Sequence, residues 1–244
     1  MALINWFRQV LGIMYLESRW IKRQPLWIVQ GFLSSFGFII VFFAWGGFRA
    51  LENLIVAFII VGAWSQGLNI VAQMIGWNKI LYEQDRLIAS PVTLSAYFFG
   101  IVLANTPFML VNLIPSIILA ILLGVDITSF LMLLLLIPIA LILGAFLSLI
   151  IILRIKNPTN ISAITNPLRT ATIIIPPVYY PAEILPPMIR EIALLIPSAS
   201  LVAIGRWILL RETAINVLYP ILVILCWSVL LTILLIRKLR WGLE

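Results

Sequence analysis

Residues 53–78 read NLIVAFIIVGAWSQGLNIVAQMIGWN, 26 consecutive positions without a charged side chain between Glu52 and Lys79. A helix rises 1.5 Å per residue, so about 20 apolar residues cross a hydrocarbon core of roughly 30 Å. The stretch suffices for one crossing, and the same spacing recurs along the chain. Arg23 to Arg49 encloses 25 uncharged residues, Arg86 to Asp126 encloses 39, Asp126 to Arg154 encloses 27, and Glu212 to Arg237 encloses 24. The longest gap still holds a single helix, because Ser90 and Pro91 open it with turn residues. Spans are therefore expected near 26–46, 54–75, 96–123, 129–152 and 214–236.

The composition agrees. Hydrophobic residues make up 63% of the 244 positions and charged residues 10%, with a mean hydropathy of +1.16. A soluble domain carries roughly 45–50% apolar and about 25% charged residues, so lipid has to cover part of this surface. The net charge of +7 does not indicate nucleic acid. A nucleic-acid reader clusters its basic residues on one water-facing patch, whereas here they lie in short groups between apolar runs. The chain has no histidine, which removes histidine zinc sites, general bases and proton relays. Cys226 is the single cysteine, so no intrachain disulfide can form. The N-terminal MALINWFRQVLGIMYLESRW lacks both a leading basic cluster and an unbroken apolar core, and no cleaved signal peptide is expected.

Between Lys156 and Glu212 the pattern is irregular, interrupted by Arg169 and by Pro167, Pro176, Pro177, Pro181, Pro186, Pro187 and Pro197. Charge decides the count. With the N-terminus inside, the cytoplasmic groups are Arg8, Arg19, Lys22, Arg23, Lys79, Arg86, Arg154, Lys156, Arg237, Lys238 and Arg240. Only Arg49, Arg190, Arg206 and Arg211 then lie outside, which satisfies the positive-inside rule. This works only with a further crossing near 161–178. The expectation is an all-α polytopic membrane protein, a single domain over 1–244, with six transmembrane helices and both termini cytoplasmic.

Residues 1–23 form a separate object. Asn5, Arg8, Gln9, Gly12 and Arg19 recur at three- and four-residue spacing, opposite Leu3, Trp6, Phe7, Val10, Leu11 and Met14. This amphipathic helix suits the headgroup plane, or a face packed on other cytoplasmic parts.

Three further segments are candidates for function. In the loop 76–90, Lys79, Glu83 and Arg86 share one face of a short amphipathic helix. Pro91 suits the first turn of the next helix, with Ser90 as its cap. The loop fits either a solvated connector or a handle for a soluble partner. In 178–212 the chain is apolar but too broken by proline to cross, and such backbone survives at membrane depth only inside protein or beside water. Short re-entrant helices are expected there, serving as a plug or an outer gate. Arg169 stands alone in the added span; a charge at that depth costs about 2.5–17 kcal/mol unless it snorkels or hydrates. It faces a path or subunit seam, or it is an anchor. No GxxxxGK[ST], HExxH or GxSxG occurs, so the chain has no phosphate-cradling loop or hydrolytic centre of its own.

Residues 81–93, LYEQDRLIASPVT, continuing to Tyr97, Phe98, Phe99 and Gly100, resemble the permease subunits of type-2 ABC exporters. There a cytoplasmic helix ends in a small-residue–Pro–Val–Ser/Thr turn before the third span. Tyr180-Pro181, Leu185-Pro186, Ile192-Ala193, Pro197 and Arg206 are similar to that family's outer segment, although Ile196 stands where asparagine is usual.

The resemblance implies a half-transporter that performs no covalent chemistry. A second permease, copy or homologue, would face it in the plasma membrane. ATP and Mg would be bound by separate ATP-binding cassette subunits, with no cofactor in this chain. The 76–90 segment would be the coupling helix, with Lys79, Glu83, Asp85 and Arg86 at the ATPase. Tyr179, Tyr180 and Pro181 would line the outer gate or path. The competing classes are a secondary transporter, which predicts paired halves or intramembrane polar groups, and a membrane scaffold. An intramembrane enzyme is disfavoured by the lack of histidine.

Overall fold

The computed structural model describes residues 2–23, 26–152, 155, 157–211 and 215–238. Arg154, Lys156, Arg240 and Glu212 lie outside the described residues. All regular structure described is helical: α1 (Ala2–Arg23), α2 (Leu26–Ser65), a π-helical turn (Gln66–Ile70), α3 (Val71–Ile80), α4 (Glu83–Ile88), α5 (Leu94–Ala104), α6 (Thr106–Leu122), α7 (Ile127–Leu134), α8 (Leu136–Ile152), α9 (Ile161–Ile174), α10 (Pro187–Leu194), α11 (Pro197–Leu210) and α12 (Leu218–Lys238), with short 3-10 turns at Pro158–Asn160 and Ala182–Ile184.

Four helical runs are long and apolar enough to cross a membrane: Val29–Ile80, Leu94–Leu122, Ile127–Ile152 and Leu218–Arg237. Counting the α10–α11 pair, bent by 106°, as one broken span makes five. The first run has 52 residues, which as one straight helix would measure about 78 Å, more than twice the hydrocarbon thickness. It is not straight. Gly47 sits at φ 60 and ψ −147, a conformation open to glycine and strained for other residues. The rings of Phe38 and Phe58 lie 6.4 Å apart, whereas 20 residues of straight helix would separate them by about 30 Å. α2 is therefore a hairpin folded at Gly47.

The two arms differ in surroundings. Leu54, Ile55, Val56, Ala57, Ile59, Ile60, Ala63 and Trp64 are all fully buried, so the second arm is the central post of the protein. A helix apolar all round belongs inside. The first arm leaves Leu33, Phe36, Ile40, Phe43 and Trp45 exposed. Close approach of helices takes small residues. A Cβ on Gly144 of α8 would come within 2.7 Å of Trp64 O, and one on Gly67 within 2.7 Å of Ala145 N. These two glycines let α8 lie against the π-helical turn.

Helix α1 packs on α5. Val10, Ile13 and Glu17 are buried, and a Cβ on Gly100 would meet Ile13 Cβ at 2.5 Å. Trp6 Nε1 donates to Ser95 Oγ at 3.0 Å, and Gln9 Nε2 to Pro91 O at 2.8 Å. Leu3, Ile4, Phe7, Leu11 and Tyr15 remain exposed on another face. Gln9, expected on the solvated face, is thus bonded to protein, because the turn at residues 91–93 offers an unpaired carbonyl and amide within its reach.

Three further expectations need correction. Residues 76–90 are not one helix: α3 runs on to Ile80, Tyr82 turns left-handed at φ 57, and α4 restarts at Glu83. Ser90 is not the cap of the next helix. Its Oγ donates to Leu87 O, closing α4, while Thr93, extended at ψ 150, caps α5 by accepting from Ala96 N. Arg206, counted above among outer loop charges, is 2% exposed. It donates from Nη1 to Pro177 O at 3.0 Å and from Nη2 to Val178 O at 2.9 Å. The chain is non-helical from Ile175 to Tyr180, so these carbonyls have no helical amide to bond, and the guanidinium supplies two donors.

Candidate functional site

Polar residues are scarce in this sequence, yet the structure gathers many of them around one cavity of about 470 Å³. Its walls come from both arms of α2, the π-helical turn, α3, α6, α9 and the stretch after α9. The first arm contributes Gln30, Ser34 and Ser35; the second arm and the turn contribute Ser65, Gln66 and Asn69; α9 contributes Ser162, Asn166 and Arg169. Among apolar helices every such group needs a partner or water, so polar side chains that converge there mark a hydrated or ligand-binding space.

The π-helical turn explains part of the convergence. Val71 N donates to Gln66 O, an i→i+5 bond in which the turn takes up one extra residue. Asn69 is held from two sides, its Oδ1 accepting from Gln73 Nε2 at 3.0 Å and from Thr165 Oγ1 at 2.8 Å. Thr165 is fully buried, so this contact ties α9 to the central post. Above it, Trp64 Nε1 donates to Thr172 Oγ1 at 3.0 Å, a second tie between the same elements.

Arg169 lies on the cavity wall and is half-buried. Its Nε is buried and has no hydrogen-bond acceptor among the described residues; Ser65 Oγ and Gln66 Oε1 are likewise unpaired. None of the residues lining the cavity is acidic.

One end of the cavity is aromatic. Tyr179 stacks on Phe38 with centroids 5.1 Å apart and planes at 16°, and lies 5.9 Å from Phe42. Phe58 meets Phe38 edge-on. Tyr179 is fixed from behind by the two Arg206 bonds to the carbonyls just before it. Tyr180 and Pro181 do not line the cavity; Tyr180 OH donates to Ile175 O at 3.1 Å, bracing the turn.

The loop residues lie elsewhere, at the end of α3 and on α4. Asp85 and Arg86 are exposed, and Lys79 and Glu83 half-buried. Of the residues singled out in the sequence, the structure brings together Arg169 and Tyr179, and it keeps Lys79, Glu83, Asp85 and Arg86 as a separate surface. The cavity amides Gln30, Gln66, Asn69, Gln73 and Asn166 were not anticipated. The available signal was the presence of amides inside long uncharged runs.

A family model for the ABC-2 type transporter matches residues 9–210, from within α1 to the end of α11. The chain belongs to the ABC-2 type transporter family. It is thus a transmembrane component of an ABC-2 transporter, the permease part, and a multi-pass membrane protein. No curated protein matches it. Within this ABC-2 chain, the matched region holds the cavity, the aromatic end and the α4 surface together.

Proposed function

We propose that this chain is the permease subunit of an ATP-driven exporter of the plasma membrane, and that the cavity is its half of the translocation path. The observation that carries the reading is a polar cavity walled by apolar helices in a chain of the ABC-2 family. The hairpin at Gly47 supplies two crossings, α5–α6, α7–α8 and α12 supply three more, and α9 with the residues after it supplies the sixth. Both termini are then cytoplasmic. The bent α10–α11 pair dips from the outer face, and Tyr179, backed by Tyr180 and Pro181, closes the path there.

Lys79, Glu83, Asp85 and Arg86 form the docking surface for a separate ATP-binding subunit, which binds ATP and Mg and drives the cycle. A second permease, a copy or a homologue, completes the path. The exposed first arm of α2 and the outward face of α9, both bordering the cavity, fit that role. The test is a pull-down of the tagged chain from gently solubilised native membranes, with mass spectrometry of what co-purifies. A soluble subunit carrying a Walker A motif, lost on Glu83→Arg, supports the reading. Repeated purification with no such subunit overturns it in favour of a secondary transporter or scaffold.

A further inference from the structure

Among the described residues, the lining of the cavity has one cation and no acidic counter-ion. Arg169 presents a planar, permanently charged guanidinium whose fork of donors matches an oxyanion bidentately. Its Nε has no acceptor among the described residues, and the lining contributes amides and hydroxyls but no carboxylate. Charges inside a membrane protein are ordinarily paired within it. Around Arg169 the neutral donors, Ser162 and Asn166 on the same helix face and Gln66 across the cavity, can add hydrogen bonds without competing as anions. Phe38, Phe58, Val61 and Ile70 provide apolar wall beside them. The volume falls within the range of small-molecule sites, roughly 300–1,000 Å³.

We infer that the cavity recognises an oxyanionic headgroup, phosphate or carboxylate, that ion-pairs with Arg169 while an apolar portion of the same molecule lies on the aromatic and aliphatic wall. This deepens the transporter reading and rests on it. The apolar wall of Phe38, Phe58, Val61 and Ile70 favours an amphipath over a free anion.

The test uses the purified full chain in neutral detergent, with thermal stability as the readout, since a ligand that binds only the folded state raises it in proportion to RT ln(1 + [L]/Kd). Three probes are compared: dihexanoyl phosphatidic acid, uncharged dihexanoylglycerol and inorganic phosphate. Saturable stabilisation by phosphatidic acid is expected, with Kd rising with ionic strength. Arg169→Gln should weaken it by roughly 10- to 100-fold, the loss of one charge-assisted pair. Asn166→Asp leaves the arginine in place and sets a carboxylate one turn away. It should weaken binding similarly, and serves if Arg169→Gln does not fold. Arg169-dependent binding of inorganic phosphate equal to that of phosphatidic acid would sustain the oxyanion and assign a soluble source. Binding by dihexanoylglycerol as tight as by phosphatidic acid, or binding unaffected by both variants, would overturn the inference. Co-purification of an ATPase is scored separately. Its retention without oxyanion binding overturns the ligand alone, and its absence with oxyanion binding overturns the transporter reading alone.

Discussion

Asn78 Nδ2 donates to Glu17 Oε1 at 2.6 Å, joining helices 61 residues apart in sequence in a buried contact. Asn78 also donates to Tyr97 OH at 3.1 Å, so α1, α3 and α5 meet at one polar point. Eight residues earlier on α1, Gln9 accepts from Thr93 N at 3.2 Å and donates to Pro91 O. The N-terminal helix thus grips both ends of the segment that carries α4.

Removing Asn78 leaves Glu17 without that donor. Asn78→Leu is expected to destabilise the protein by about 1–3 kcal/mol, the cost of an unpaired buried polar group, read as a lower unfolding temperature in detergent. An unchanged transition would mean that α1 is only loosely docked.

Burial pushes the Glu17 carboxyl above its ordinary value of 4.5, the Asn78 bond opposes this, and Glu83 adds to it. The folded state therefore holds the proton more tightly than the unfolded chain does. Stability is highest below the ordinary value and falls as pH rises towards and through the raised one. Glu17→Gln keeps an acceptor for Asn78 and removes the charge. It should unfold at a higher temperature than the parent near neutral pH, and with a flatter dependence on pH over that window. A parent profile that shows no fall as pH rises above 4.5 would contradict the buried carboxyl.

Gly67 and Gly144 are expected to resist substitution. Gly67→Ala or Gly144→Ala drives a methyl into backbone atoms of the opposing helix, and overpacking of this kind costs typically about 1–3 kcal/mol. Gly12→Ala, which meets nothing within 4 Å, is the control and should be neutral. Size-exclusion profiles and thermal shifts of the three variants decide the matter.

Arg206→Met strips two donors from the Pro177 and Val178 carbonyls. Hydrogen bonds from a charged donor are worth about 1.5–3 kcal/mol. The variant should be less stable by at least that amount and cleaved faster near residues 176–187 by added protease. Cleavage at the parental rate would show that other contacts hold the segment.

Tyr179 stacks on Phe38 in the cavity wall; on the proposed closure of that end by Tyr179, Tyr179→Ala should open it and Tyr179→Phe should not. In a Cys226→Ser background carrying Ser65→Cys, a membrane-impermeant thiol reagent reports the difference. Labelling is expected to rise with alanine and to stay low with phenylalanine. Equal labelling in both would remove Tyr179 as the closure.

Much of this protein was determined by sequence alone. Long uncharged runs forced helices into lipid, because an unpaired backbone amide at that depth has no solvent to bond to. That logic set the all-helical class, the positions of most runs and the isolation of Arg169. The loop 81–93 and the proline-broken outer segment carried the family likeness, since turn chemistry is local. What only the tertiary structure decided was non-local. The hairpin turn fell at Gly47, and nothing in that run distinguishes it from Gly46. Arg206 turned inward because its partners are carbonyls freed 28 and 29 residues away. The cavity is lined with amides because the hairpin at Gly47, the π-helical turn and the Asn69–Thr165 tie bring α2, that turn, α3 and α9 around one space. Such groups look alike along the chain, and which of them share a space depends on how the helices cross.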